Sequence, residues 1–81
     1  MEYKEMISGI IQGMNIYDNK KSLLILSDDG FEYIFHINED TIVLAFENLK
    51  KNQKVDVIFN GILTRSIPPQ GNALIVNGLK V

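Results

Sequence analysis

Apolar and polar residues alternate along much of the chain, in short runs that polar turns separate. The clearest run is 54–63, where valine, isoleucine and phenylalanine alternate with polar residues. A period of two is typical of a β-strand that buries one face. We therefore predict a strand from residue 54 to about Arg65, with Val55, Val57 and Phe59 facing the core.

The first apolar run, 5–17, is interrupted by Gly9 and Gly13. Two glycines four residues apart can mark helix packing, but that motif is informative in membrane-spanning helices. Among β-branched isoleucines, glycines more often mark bulges or bends in a strand. The pattern favours a long, coiled first strand over a helix.

The next two runs predict a hairpin. A polar turn at 18–21 precedes the continuous apolar run 22–27, which is consistent with a strand covered on both faces. Asp28-Asp29-Gly30 then forms a turn whose glycine can adopt positive φ. We expect the second and third strands to be antiparallel neighbours.

The third strand is predicted at 31–37 from its regular alternation. Phe31, Tyr33, Phe35 and Ile37 share one face, because successive side chains point to opposite sides of a strand. We predict that this aromatic face belongs to the core.

Residues 38–53 carry mixed signals. Acidic and hydroxyl residues at 38–41 can cap a helix, and Ala45, Phe46 and Leu49 have helical spacing. Thr41 to Leu44, however, is β-like in composition. We predict a brief extended piece followed by a helical turn around residues 45–49.

The last part of the chain predicts a loop and a final strand. The loop is placed at 66–72, because Pro68 and Pro69 donate no ladder hydrogen bonds and Gly71-Asn72 favours a turn. The fifth strand is placed at 73–81.

Five strands, a bent first strand and a short helical insert between the third and fourth predict an all-β, five-stranded OB-fold-like Greek-key barrel. Residues 1–81 are expected to form this single domain. The alternatives are an SH3-like barrel and an open meander.

Length and charge limit the function classes. With 81 residues, 46% of them hydrophobic, the chain suits one core, because two would each be marginal. Eight Lys and Arg against ten Asp and Glu give a net charge of −2, and the basic residues are scattered. Nucleic-acid binding usually requires clustered basic charge, so the composition argues against it.

The absence of cysteine removes disulfides, zinc–thiolate sites and thiol nucleophiles. The longest apolar run, 42–46, is too short to span a bilayer, and the first residues lack the pattern of a secretion signal. We therefore expect a soluble chain that suits either side of a membrane.

Catalytic and metal sites are not indicated. His36 is the only histidine and no G-x-S-x-G motif is present, which favours a half-exposed strand histidine over a catalytic base. Asp28, Asp29, Glu39 and Asp40 lack the spacing of a calcium-binding loop, which favours solvated turn acids. We expect no enzyme activity, no cofactor and no metal.

Phe31, Tyr33 and Phe35 invite comparison with the aromatic platforms by which OB-folds hold single-stranded nucleic acid. They share a face with Ile37, and a small barrel needs large apolar side chains inside. Core positions are therefore favoured over a stacking platform.

Two stretches of the second half resemble a known family. Residues 46–57 are similar to the pattern "f-x-x-L-k-x-G-q-k-V-x-V", and 65–73 to "E-S-x-P-x-Q-x-x-A". Together they resemble the YobA-like family of small Gram-positive secreted or lipid-anchored proteins, a domain of unknown function with an OB-type barrel. The resemblance covers roughly 7–81 and rests mainly on 46–73.

The resemblance implies an extracytoplasmic location and supplies no catalytic residue. Asn52 stands where the pattern prefers glycine, which is tolerable because asparagine also adopts left-handed conformations. Arg65 stands where it prefers glutamate, which puts in doubt any role for an acid there.

We predict a monomeric, non-enzymatic binding or interaction module that recognises an unknown protein or small ligand. The alternative is binding of single-stranded nucleic acid or an oligosaccharide. OB-folds usually bind on the exposed side of strands two and three, framed by the loops joining the first two and the last two strands, although an ordinary mixed surface would carry similar residues. The residues nominated for this surface are Tyr17, Lys20, Lys21, Ile34, His36, Arg65 and Gln70.

Overall fold

The computed structural model describes residues 4–46 and 48–78, and these residues form six strands and no helix. Most of the apolar runs form β-strands, as their alternating pattern predicts, and short polar turns separate them. The strands are β1 (Glu5–Tyr17), β2 (Lys20–Ser27), β3 (Glu32–Ile37), β4 (Ile42–Leu44), β5 (Lys54–Phe59) and β6 (Gln70–Asn77).

Five of the strands close into a barrel. β1 pairs antiparallel with both β2 and β5, β2 with β3, and β5 with β6. A parallel pairing between β3 and β6 completes the closure. This confirms the predicted five-stranded OB-fold-like Greek-key barrel, in which β5 and β6 are the predicted fourth and fifth strands.

The barrel interior is filled by alternate residues from the five strands. Val55, Val57 and Phe59 are fully buried, which confirms the inward face predicted for this strand. The rings of Phe35 and Phe59 meet with centroids 5.0 Å apart. Among the described residues, the buried apolar core comprises Ile11, Leu23, Ile25, Phe35, Val55, Val57, Phe59, Ala73 and Val76.

Gly9 and Gly13 both lie within the strand β1, as predicted. A Cβ built on Gly9 would lie 2.1 Å from the carbonyl oxygen of Leu26, so the close approach of the β1 and β2 backbones at this point requires glycine. The register with β2 shifts between Ile11 and Gly13, which is a β-bulge. These features let one long strand bend and pair on both sides.

The first turn is tighter than the predicted four residues. Asp18 and Asn19 both have positive φ, 50° and 63°, as a two-residue hairpin turn requires. Lys20 and Lys21 therefore belong to β2. The second predicted turn is confirmed, since Gly30 has φ 92° and its N–H donates to the carbonyl of Ser27.

The prediction that the whole aromatic face belongs to the core is wrong for one residue, Phe31. Phe31 lies before β3 and is 64% exposed, because the turn ends at that residue and the strand begins at Glu32. Tyr33 and Ile37 pack against the core, and Phe35 lies within it.

The prediction of a helical turn at 45–49 is also wrong. The described residues of this segment, 45, 46, 48 and 49, are not helical. Glu47 lies outside the described residues. The extended piece before this segment is confirmed as β4. Pairing with β6 holds it: the Leu44 carbonyl accepts from the Gly78 N–H at 2.6 Å, and Thr41 Oγ1 donates to the Ala73 carbonyl at 2.7 Å.

The connection from β5 to β6 lies earlier than predicted. β5 ends at Phe59 because Asn60 Oδ1 accepts from the Ile62 N–H and Gly61 has φ 84°, which turns the chain. The loop is therefore 60–69. Residues 70–72, predicted as loop, begin β6 and pair with β3. Residues 79–81 of the predicted last strand lie outside the described residues.

Within the part of the chain that the structure describes, no helix is long and apolar enough to cross a membrane.

Candidate ligand-binding surface

The outer face of β2, β3 and the start of β6 is a continuous surface that the barrel closure creates. Strand alternation buries Leu23, Ile25 and Phe35, so the residues between them face outward. The register places Ser22 opposite His36 on this outer face. The parallel pairing brings β6 alongside, with Gln70 opposite Ile34 and Asn72 opposite His36.

A side-chain hydrogen bond joins β3 to β6 on this surface. His36 Nε2 lies 2.8 Å from Gln70 Oε1, in a partly buried position. In this contact Nε2 donates to Oε1 in the tautomer that carries the ring proton on Nε2.

An open groove of about 480 Å³ lies beside this hydrogen bond. Its walls present carboxamide, imidazole and ammonium groups, together with the carboxylate of Glu39. Groups of this kind orient a polar ligand by hydrogen bonding and charge. The groove is lined by Asn19, Lys20, Lys21, His36, Ile37, Asn38, Glu39 and Asn72.

Of the seven predicted site residues, three line the groove and four do not. Lys20, Lys21 and His36 line the groove, and Ile34 and Gln70 adjoin it through the β3–β6 pairing. Tyr17 is exposed beside Lys20 across the hairpin turn. Arg65 is exposed in the loop 60–69 and is not among the residues that line the groove.

Three asparagines of the groove were not predicted: Asn19, Asn38 and Asn72. Asn19 could have been predicted from the sequence, because it lies in the turn between the first two strands, and this turn frames the usual binding surface of an OB-fold. Asn38 directly follows β3, whereas Asn72 reaches the groove only through the parallel register of β3 with β6. A pairing between strands this distant in sequence leaves no local pattern.

The four acids considered as a cluster are divided between two places. Asp28 and Asp29 line a shallow hollow near Ser8 and Tyr33. Glu39 lines the outer-face groove instead. Among the described residues, no group of three or more His, Asp or Glu side chains is arranged to hold a metal ion.

The two aromatic rings of β3 lie on the face of the strand that is directed at the core. Phe35 is fully buried, and Tyr33 stacks on it with centroids 6.1 Å apart and packs against the core. The prediction that these rings belong to the core is confirmed for Phe35, whereas Tyr33 is partly buried and packs against the core.

Comparison of the chain with known protein families, with characterised proteins and with solved structures finds no match.

Proposed function

We propose that this chain is a non-enzymatic binding module that takes up a protein or small polar ligand on the outer face of β2 and β3. The observation that carries the proposal is the His36–Gln70 hydrogen bond, set beside a groove of about 480 Å³. The bond orients the imidazole before a ligand arrives. A pre-oriented polar group costs less ordering entropy on binding.

The chemistry of the groove supports recognition. The ring of His36 contacts the side-chain carbonyl of a glutamine, which is not a nucleophile that a base would activate. Lys20 and Lys21 add positive charge, and the three asparagines can both donate and accept hydrogen bonds. The ligand best matched to this groove is rich in hydrogen-bonding oxygens.

An oligosaccharide is the second candidate on the same surface, because carboxamide groups match sugar hydroxyls in both donor and acceptor roles. Single-stranded nucleic acid is less well matched. Its binding by OB-folds uses exposed aromatic rings for stacking, whereas Phe35 is buried in the core and Tyr33 packs against it.

Location forms a further part of the proposal. The resemblance of residues 46–73 to the YobA-like family supports an extracytoplasmic protein. Fractionation of the native cells, with detection of this chain in the extracellular or membrane-attached fraction, tests it; a wholly cytosolic signal would contradict it.

The function is tested by titrating the protein with oligosaccharides, polar small molecules and a labelled single-stranded oligonucleotide. We expect at least one of the first two classes to bind and His36→Ala to weaken that binding about tenfold, which corresponds to the loss of one good hydrogen bond. Lys54→Ala, an exposed change on β5, is the matched control and should bind like the wild type.

Equal affinity in wild type and His36→Ala would contradict the proposal. Oligonucleotide binding that falls steeply as salt rises would support the nucleic-acid alternative instead.

A further inference from the structure

β4 forms an open edge of the sheet. In the described part of the chain its one strand neighbour is β6, with Ile42, Val43 and Leu44 opposite Ile75, Val76 and Asn77. All three residues of β4 are exposed, although all three are large and apolar. An exposed apolar edge strand is a ready template for another strand.

The backbone of Val43 is directed at this open edge. The Leu44 carbonyl points toward β6, since it accepts from the Gly78 N–H at 2.6 Å. Successive residues of a strand direct their N–H and C=O groups to opposite edges. The N–H and C=O of Val43 therefore point away from β6, where an added strand would pair with them.

The side chain of Val43 lies on the inner face. Its partner across the pair, Val76, is fully buried, and residues directly opposite one another share a face. On this face an open groove of about 400 Å³ separates β4 from the projecting β1–β2 hairpin. The groove is lined by Met14, Asn15, Ile16, Lys21, Ser22, Leu23, Ile37, Val43, Asn48 and Leu49.

Most of the described residues that line the groove are apolar, and one of them is charged. Met14, Ile16 and Leu49 form apolar walls with Val43, and Lys21 is the only charged residue among those that line it. Apolar walls with a single ammonium group are complementary to an apolar segment that carries one carboxylate.

We propose that β4 and this groove dock an extended segment of another protein, in which apolar residues occupy every second position and an acidic residue reaches Lys21. The segment adds to the sheet beside β4 and exchanges hydrogen bonds with the backbone of Val43. Its alternate side chains fall on the inner face and fill the groove, as in recognition by strand addition. The site shares only Lys21 and Ile37 with the outer-face groove, so either can fail independently.

A second copy of the chain fits this site less well. Pairing of β4 with its own copy would bring a three-residue strand, of which only Val43 lies on the inner face. One valine side chain is too small to fill a groove of about 400 Å³. A longer strand with several inward side chains is needed.

The test is selection of peptides from a displayed random library on the intact protein, followed by affinity measurement with the selected peptides. We expect enrichment of apolar residues with a period of two, together with an acidic residue. A selected peptide N-methylated at its paired backbone nitrogen should bind about tenfold more weakly, since one backbone hydrogen bond is lost. Peptides with helical spacing, or no selection at all, would overturn the proposal, as would dimerisation that competes with every peptide.

Two variants locate the site. Val43→Pro removes the N–H at the open edge, where proline is tolerated because that N–H is not used in the ladder with β6; binding should fall about tenfold or more. Val43→Ala keeps the N–H and should lose less. Lys21→Glu should weaken acidic peptides, whereas the control Lys54→Glu should not.

Unchanged affinity in a folded Val43→Pro protein would overturn the proposal. Should that variant not fold, the N-methylated peptide decides the same question on the wild-type protein.

Discussion

His36 on β3 and Gln70 on β6 are joined by a hydrogen bond of 2.8 Å across the parallel pairing that closes the barrel. The candidate binding surface and the closure of the fold therefore depend on the same pair of strands. A ligand in the neighbouring groove would contact side chains whose relative positions this pairing fixes.

The energetic coupling of this pair can be measured with His36→Ala, Gln70→Ala and the double variant. We expect a coupling of about 0.5–1.5 kcal/mol in the free energy of unfolding, which is typical for one partly buried hydrogen bond. Urea denaturation provides the values. The combination of His36→Ala with Lys54→Ala should be additive, and an equally additive His36–Gln70 pair would contradict the contact.

Substitution by alanine should affect stability differently at the two glycines of β1. A Cβ at Gly9 would lie 2.1 Å from the Leu26 carbonyl oxygen and 2.7 Å from Ser27 Cα, both of which are backbone atoms. At Gly13 the nearest contact is 3.9 Å, to Leu24 Cβ. Gly9→Ala should cost about 1–3 kcal/mol or more, and Gly13→Ala should change stability by less than about 1 kcal/mol. Thermal melts that rank the two variants in reverse order would contradict the close approach of the β1 and β2 backbones at Gly9.

Phe35 and Phe31 differ in burial although both lie in the alternating pattern. Phe35→Ala removes a fully buried ring packed on Phe59 and should cost about 3–5 kcal/mol. Phe31→Ala removes a ring that is 64% exposed and should change stability by about 0.5 kcal/mol or less. Chemical denaturation followed by circular dichroism compares them. Similar losses at both positions would place Phe31 in the core after all.

Asn52 adopts a left-handed conformation, with φ 72°, and its N–H donates to the carbonyl of Ile11 at 2.7 Å. This is the position at which the family pattern prefers glycine, and asparagine meets the same backbone requirement. Asn52→Ala should cost about 1 kcal/mol, because a Cβ without a local polar group is strained there. Asn52→Gly should be neutral or slightly stabilising. A destabilisation by glycine equal to that by alanine would show that the side chain, and not φ, matters at this turn.

Much of the fold is readable from the sequence because its signals are local. The period-two run 54–63 identified β5 and its inward face, although the strand ends at Phe59 and not near Arg65, and Asp28-Asp29-Gly30 identified the β2–β3 hairpin. The β-branched residues 42–43 correctly indicated an extended piece. Each of these signals lies within a few residues of the feature that it predicts.

The errors arise where a distant strand decides the conformation. Ala45, Phe46 and Leu49 have helical spacing, but Ala45 and Leu49 both lie against Gly78, which directly follows β6 in a distant part of the chain. Gln70 was nominated for the surface together with His36, yet nothing local could predict that the two side chains touch. Residues of the apolar groove share no sequence pattern, because only the fold brings the hairpin and β4 to opposite sides of it.

The most direct test of the outer-face assignment is nuclear magnetic resonance mapping of amide shifts, with panels of oligosaccharides and polar small molecules as probes. We predict that a binding probe shifts the amides of His36, Asn38 and Asn72, which line the outer-face groove, and leaves those of Ser8, Asp28 and Asp29 unchanged. Shifts that cluster around Ser8, Asp28 and Asp29, or no shift with any member of the panels, would contradict the account.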